Sequence, residues 1–63
     1  MQKKTLRRRR SIGNKTIIEF AYIGELNDKT TIEIYHTGET HQYFELEESF
    51  QFVLSQLLGL GWR

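Results

Sequence analysis

The stretch Thr30-Thr31-Ile32-Glu33-Ile34-Tyr35-His36-Thr37-Gly38-Glu39-Thr40-His41-Gln42-Tyr43-Phe44-Glu45-Leu46 decides the fold. Apolar and polar residues alternate from Thr30 to His36 and from His41 to Leu46, the period of half-buried strands. Thr37-Gly38-Glu39-Thr40 between them has the chemistry of a tight turn. Ile34 and Phe44 share a face only if an odd number of residues joins the strands, because a one-residue slip inverts a strand. A three-residue loop is therefore expected, although two-residue turns are common.

Beyond Leu46 the period changes. Phe50, Val53, Leu54, Leu57 and Leu58 stand at i, i+3, i+4, i+7 and i+8, the apolar stripe of an amphipathic helix. Ser49 suits the N-cap, and Glu47 and Glu48 suit the positive end of the helix dipole. Gly59 is placed to end the helix in a left-handed conformation, after which Leu60 and Trp62 can fold back onto the sheet. In the other direction, Lys15 to Ile23 is rich in β-branched and aromatic residues and reads as a strand. Gly24-Glu25-Leu26-Asn27-Asp28-Lys29 reads as a loop. The expected architecture is α+β: a three-stranded antiparallel β-meander packed by one C-terminal helix, βββα. It occupies residues 15–63 and follows a flexible basic N-terminal arm at 1–14.

Alternation assigns the faces. Ile18, Phe20, Tyr22, Ile32, Ile34, Phe44 and Leu46 are expected under the helix. Ile17, Glu19, Ala21, Ile23, Glu33, Tyr35, His41, Tyr43 and Glu45 are expected on the outer face. Tyr35, His41 and Tyr43 there resemble a stacking platform for bases. Glu19, Glu33 and Glu45 among them repel phosphate, and no cation accompanies them. Such a face suits a basic or aromatic protein surface, or a twofold copy of itself.

Charge is divided unevenly. Residues 1–10 carry Lys3, Lys4, Arg7, Arg8, Arg9 and Arg10 and no acid. Residues 11–63 carry three cations against eight acids, a net of −5, within a total of +1. Like charges at that density are expected to keep the arm extended and mobile. These six side chains can neutralise phosphates and release counterions, which gives affinity without reading sequence.

Composition narrows the function classes. The chain of 63 residues has no Cys and no Pro. A chain of this length typically builds a core worth about 3–5 kcal/mol and commonly gains from a partner. Without Cys there are no disulfides or thiolate metal sites. No apolar run reaches the roughly 20 residues of a membrane span. Met1-Gln2-Lys3-Lys4-Thr5 is followed by no apolar stretch, so no secretory signal is read, and a cytoplasmic location and no membrane partner are expected. His36, His41 and Glu39 make a poor ligand set for zinc, which normally takes four ligands. Ser11, Ser49 and Ser55 lack a sequence-placed base, and adjacent Glu47 and Glu48 do not form a facing acid pair. No enzyme activity, cofactor or metal is expected.

The run Ile32 to Leu46, followed by the helix, resembles the small KTSC domain. That family has a strand, a turn containing Gly, a central Tyr-x-Tyr and a helix. His41-Gln42-Tyr43 occupies the central motif here, with His41 in place of its first Tyr. The resemblance covers the second half of the chain and implies RNA binding, a role suggested for the family by its attachment to a lysyl-tRNA synthetase.

Two functions emerge. The first is a non-enzymatic binding protein whose Lys3, Lys4, Arg7, Arg8, Arg9 and Arg10 contact nucleic-acid phosphates. The second is a protein-interaction module or small regulator acting through Glu33, Tyr35, His41, Tyr43 and Glu45, as a homodimer or with another protein.

Overall fold

The computed structural model describes residues 2–36 and 41–63. Four antiparallel strands lie in the order β1 (Lys3–Ile12), β2 (Lys15–Leu26), β3 (Lys29–His36) and β4 (His41–Leu46). One helix, α1 (Phe50–Gly59), follows and crosses β2 and β3. The α+β class and the C-terminal helix match expectation. The strand number does not: the meander has four strands, and the additional one is the segment expected to be a mobile arm.

Two turns explain the difference. Ile12 pairs with Lys15, leaving Gly13-Asn14 as a two-residue loop with Gly13 at φ +60°. Glycine at the first central position is the signature of a type II′ hairpin turn. Leu26 pairs with Lys29 across Asn27 and Asp28, both at positive φ (50° and 65°). That is the type I′ pattern, whose twist matches that of the flanking strands. The segment 24–29 is therefore mostly strand, with only its Asn-Asp pair forming the turn.

Repulsion does not keep β1 loose because its cations are sorted by the pleat. Arg7 and Arg9 point to one face and Arg8 and Arg10 to the other. Leu6, the one large apolar residue among the cations, is buried at 2% exposure. Glu19 is also buried. It accepts from Arg8 Nε at 3.0 Å, and its second oxygen lies 3.7 Å from Arg10 Nη1. The Arg8 guanidinium further stacks over Trp62, 4.4 Å from the ring centroid.

The helix-side core contains Leu6, Ala21, Ile23, Ile32, Phe50, Val53, Leu57 and Trp62, with Ile34, Leu46 and Leu54 packed against it. This confirms the faces of β3 and corrects that of β2. Ile32 lies opposite Ile23, and Ile34 opposite Ala21. Ile18, Phe20 and Tyr22 therefore project to the outer face, while Ile17, Glu19, Ala21 and Ile23 face the helix. The two-residue Asn27-Asp28 turn sets this parity. Ala21, fully buried, is small enough to let the helix lie close.

Ile32 also pairs with Phe44 and Ile34 with Gln42, so Ile34 and Phe44 share the helix side as expected. The expected three-residue loop falls within residues 37–40 and lies outside the described residues. The Ser49 side chain accepts from the Phe52 N–H at 3.2 Å, closing the N-cap. Glu47 and Glu48 precede the cap and do not enter the first turn. Glu47 instead lies 3.6 Å from Lys29, and the Glu48 carbonyl accepts from Thr30 Oγ1 at 2.7 Å.

The helix end differs from expectation by two residues. Gly61, at φ +99°, takes the left-handed position in place of Gly59. Gly61 N–H donates to the Leu58 carbonyl and Trp62 N–H to that of Leu57, a Schellman closure. It turns Trp62 back into the core at 3% exposure, whereas Leu60 stays 68% exposed. Leu58, assigned to the stripe, is also exposed because it lies past the sheet-facing arc.

Candidate nucleic-acid interface

The outer face is built by register. Arg7 lies opposite Phe20, Phe20 opposite Tyr35, and Tyr35 opposite His41. Directly opposed residues share a face, so these four side chains form one row across the sheet. Arg7 N–H donates to the Arg63 carbonyl at 2.7 Å, and Arg63 N–H returns a bond to the Arg7 carbonyl at 2.8 Å. This reciprocal pair adds Arg63 to the row, one residue after buried Trp62. Because Arg7 spends its backbone groups on Arg63, its pairing with Phe20 is of the non-hydrogen-bonded type, in which side chains approach more closely.

The neighbouring row is Thr5, Tyr22, Glu33 and Tyr43. Beyond it lie Lys3, Gly24, Thr31 and Glu45. Gly24 contributes no side chain, and a concavity of about 560 Å³ opens between Lys3, Thr5, Tyr22, Glu33 and Tyr35. On the other flank Arg9 lies opposite Ile18. A second concavity, about 630 Å³, notches the β1 edge and is lined by Arg7, Arg8, Arg9, Ile18, Gly61 and Arg63.

The aromatic groups form a connected set. Tyr22 and Tyr35 meet edge to face with centroids 5.4 Å apart, and the rings of Tyr35 and His41 stack at 4.4 Å, 7° from parallel. Glu33 ties them together: its Oε2 accepts from Tyr35 Oη at 3.0 Å and lies 3.2 Å from His41 Nε2. The hydrogen bond to Glu33 is the main cause that raises the Tyr35 pKa, followed by desolvation. Desolvation first, then the charges of Glu45 and Glu33, raises that of Tyr43. Both phenols hold their protons more tightly than a free tyrosine.

The six N-terminal cations thus divide by role. Lys3, Arg7 and Arg9 lie on the outer face. Lys4, Arg8 and Arg10 lie on the helix side, where Arg8 and Arg10 pair with Glu19. Lys3, Lys4, Arg7, Arg9 and Arg63 have no ion pair among the described residues. The sequence-assigned partner residues Glu33, Tyr35, His41 and Tyr43 form one neighbourhood, with Glu45 one row away. Sequence reasoning missed Phe20, Tyr22 and Arg63 on this face. The Gly13-Asn14 hairpin signal could have recovered β1 and its cations, but no local signal links Arg63 to Arg7.

Among the described residues no group of three or more acidic, His or Cys side chains is placed to hold a metal, and Glu39 lies outside them. No helix among them is long and apolar enough to cross a membrane. Compared with models of protein families, curated proteins and solved structures, the chain has no significant match. The likeness of residues 32–46 and the following helix to the KTSC domain is neither supported nor contradicted by these comparisons.

Proposed function

We propose that this is a non-enzymatic protein that binds single-stranded nucleic acid across the outer face of its sheet. The observation that carries the reading is the row Arg63, Arg7, Phe20, Tyr35, His41, which runs from cations through aromatic rings. Lys3, Arg7, Arg9 and Arg63 supply phosphate contacts along one edge. Phe20, Tyr22 and Tyr35 supply surfaces on which bases stack, a mode that tolerates any base. Relocating Phe20 and Tyr22 to this face and placing β1 beside them removes the objection that the aromatic platform lacks cations. Glu33 is engaged by Tyr35 and His41, which lowers its cost to a nearby phosphate.

A labelled single-stranded oligonucleotide of mixed sequence, RNA or DNA, tests this by fluorescence anisotropy over a salt series. Four phosphate contacts give a slope of log K against log salt of about −3 for a single strand. Tyr22→Ala weakens binding by about 1–3 kcal/mol. Arg7→Ala and Arg9→Ala each flatten the slope by about 0.7. A salt-independent affinity, or one that Tyr22→Ala leaves unchanged, refutes the proposal.

The protein-interaction reading is favoured by one feature, the negative charge of Glu33 and Glu45 beside Tyr43. It requires a partner lost on Glu45→Lys and unaffected by Arg9→Ala.

A further inference from the structure

The two edges of the sheet are not equivalent. On β1 the outward backbone groups of Arg7 are occupied by Arg63, and cationic side chains crowd both faces. Charge and coverage of this kind protect an edge from pairing with another strand. On β4 nothing pairs on the outer side among the described residues. Its sequence, His41-Gln42-Tyr43-Phe44-Glu45-Leu46, has no Lys, Arg or Pro.

The ladder fixes which β4 groups are open. Arg7 turns its backbone bonds away from β2, so Phe20 turns its own toward β3 and Tyr35 its own toward β2. Pairing without a bulge through Tyr35 and His41 then leaves the N–H and C=O of His41, Tyr43 and Glu45 pointing outward. These three residues all present their side chains on the outer face. On the helix side, Phe44 is left 45% exposed beside the sheet edge.

We propose that β4 pairs antiparallel with β4 of a second copy of this chain about a twofold axis at Tyr43, forming a continuous eight-stranded sheet. Registers that oppose residues of unlike parity are excluded because they would join the outer face of one copy to the helix side of the other. The register centred on Tyr43 uses all three outward residues. Tyr43 bonds to Tyr43 of the copy, and each His41 lies opposite Glu45 of the copy. That pairing sets an imidazole N–H donor against a carboxylate acceptor and occurs twice, the self-complementarity a twofold interface needs. It also sets Phe44 opposite Gln42 of the copy, with the two Phe44 rings diagonal neighbours. The cationic β1 edges end up at the two outer margins, far from each other. A register centred on Gln42 instead leaves Glu45 opposite no residue of β4, so only His41 and Tyr43 of the three outward residues pair.

The inference does not depend on the nucleic-acid reading, and its test uses none. Because the chain has no Cys, a single Tyr43→Cys substitution reports the register directly. Hydrogen-bonded antiparallel partners have Cα atoms about 5.5 Å apart, inside the range a disulfide spans. Glu45→Cys places the two thiols four residues apart in register, beyond that range. The full-length variants are oxidised mildly and analysed by non-reducing electrophoresis. The unmodified chain is run by sedimentation velocity across a concentration series, with far-UV circular dichroism confirming that all variants fold. Expected are a reversible dimer for the unmodified chain, nearly complete covalent dimer for Tyr43→Cys and little for Glu45→Cys. Tyr43→Lys, which sets two like charges at the axis, gives a folded monomer. A folded unmodified chain that stays monomeric throughout, or equal crosslinking of the two Cys variants, overturns the proposal. So does occupation of this edge only by a strand of a different protein.

Discussion

Leu6→Ala distinguishes a fold that includes the first ten residues from one that merely carries them. The Leu6 side chain is 2% exposed and belongs to the same buried cluster as Ala21, Phe50, Val53 and Trp62. Truncating a buried leucine to alanine costs about 2–5 kcal/mol, the lost transfer energy plus the cavity left behind. A site near a sheet edge can partly collapse, which places the value near 3 kcal/mol. A domain of this size has roughly 3–5 kcal/mol to lose. The variant should therefore sit near the midpoint of unfolding at room temperature, with a melting temperature lower by roughly 12–24 °C. Far-UV circular dichroism reports the sheet and helix, and Trp62 fluorescence reports the core, so coincident transitions also check two-state behaviour. Leu60→Ala is the control, since Leu60 is 68% exposed and should change stability by no more than about 0.5 kcal/mol. If Leu6→Ala melts with this control, the strand assignment of Lys3–Ile12 and everything built on it fails.

Two further outcomes follow from the buried carboxylate and from the phenols. Glu19→Gln should cost about 1–3 kcal/mol, less than for a fully buried pair because the Arg8 side chain keeps 28% of its surface in solvent. A double-mutant cycle with Arg8→Met, followed by urea denaturation, measures the coupling, and additivity of the two losses would show that the ion pair contributes nothing. Tyr35 has its pKa raised above the ordinary 10.0, chiefly by its hydrogen bond to Glu33. The stability that this bond confers is fully present below pH 10 and is lost as pH rises from there through the folded-state value. In an alkaline titration followed by tyrosinate absorbance, Glu33→Gln should bring Tyr35 ionisation back toward the free-tyrosine range, with Tyr35→Phe identifying the transition. An unchanged midpoint in Glu33→Gln would remove Glu33 as the cause.

The position of β1 changes what the N-terminal charge can do. A mobile arm offers six equivalent cations at variable distances, whereas a strand fixes each one. Lys3, Arg7 and Arg9 share the outer face with Phe20, Tyr22 and Tyr35, and Arg7 lies directly opposite Phe20, so under the proposed function a strand of nucleic acid would meet phosphate and base contacts together. Preorganisation of this kind reduces the ordering cost of binding. Deleting residues 1–10 therefore removes part of the core along with the charge, and point substitutions at Arg7 and Arg9 probe the proposed interface more cleanly.

Local sequence determined several features of this protein by itself. The alternation of Ile32, Ile34, Phe44 and Leu46, the change of period at Phe50 and the Ser49 cap each depend on neighbours a few residues away. The α+β class and the β3–β4 face assignment were legible for that reason. The β2 face was not, because Ile17 to Ile23 is apolar on both alternations apart from Glu19, and either set could line a core. The choice came from the parity of the Asn27-Asp28 turn and from the close approach that Ala21 permits. The fate of β1 was decided further away still. Six cations read as repulsive until buried Glu19, the Trp62 ring and the Arg63 backbone are brought to them across the sheet, and those are tertiary contacts with no signature in the local pattern. Residue spacing sets which side chains share a face, but only packing sets which face is covered and which charges find partners, since burial and pairing belong to residues distant in the chain.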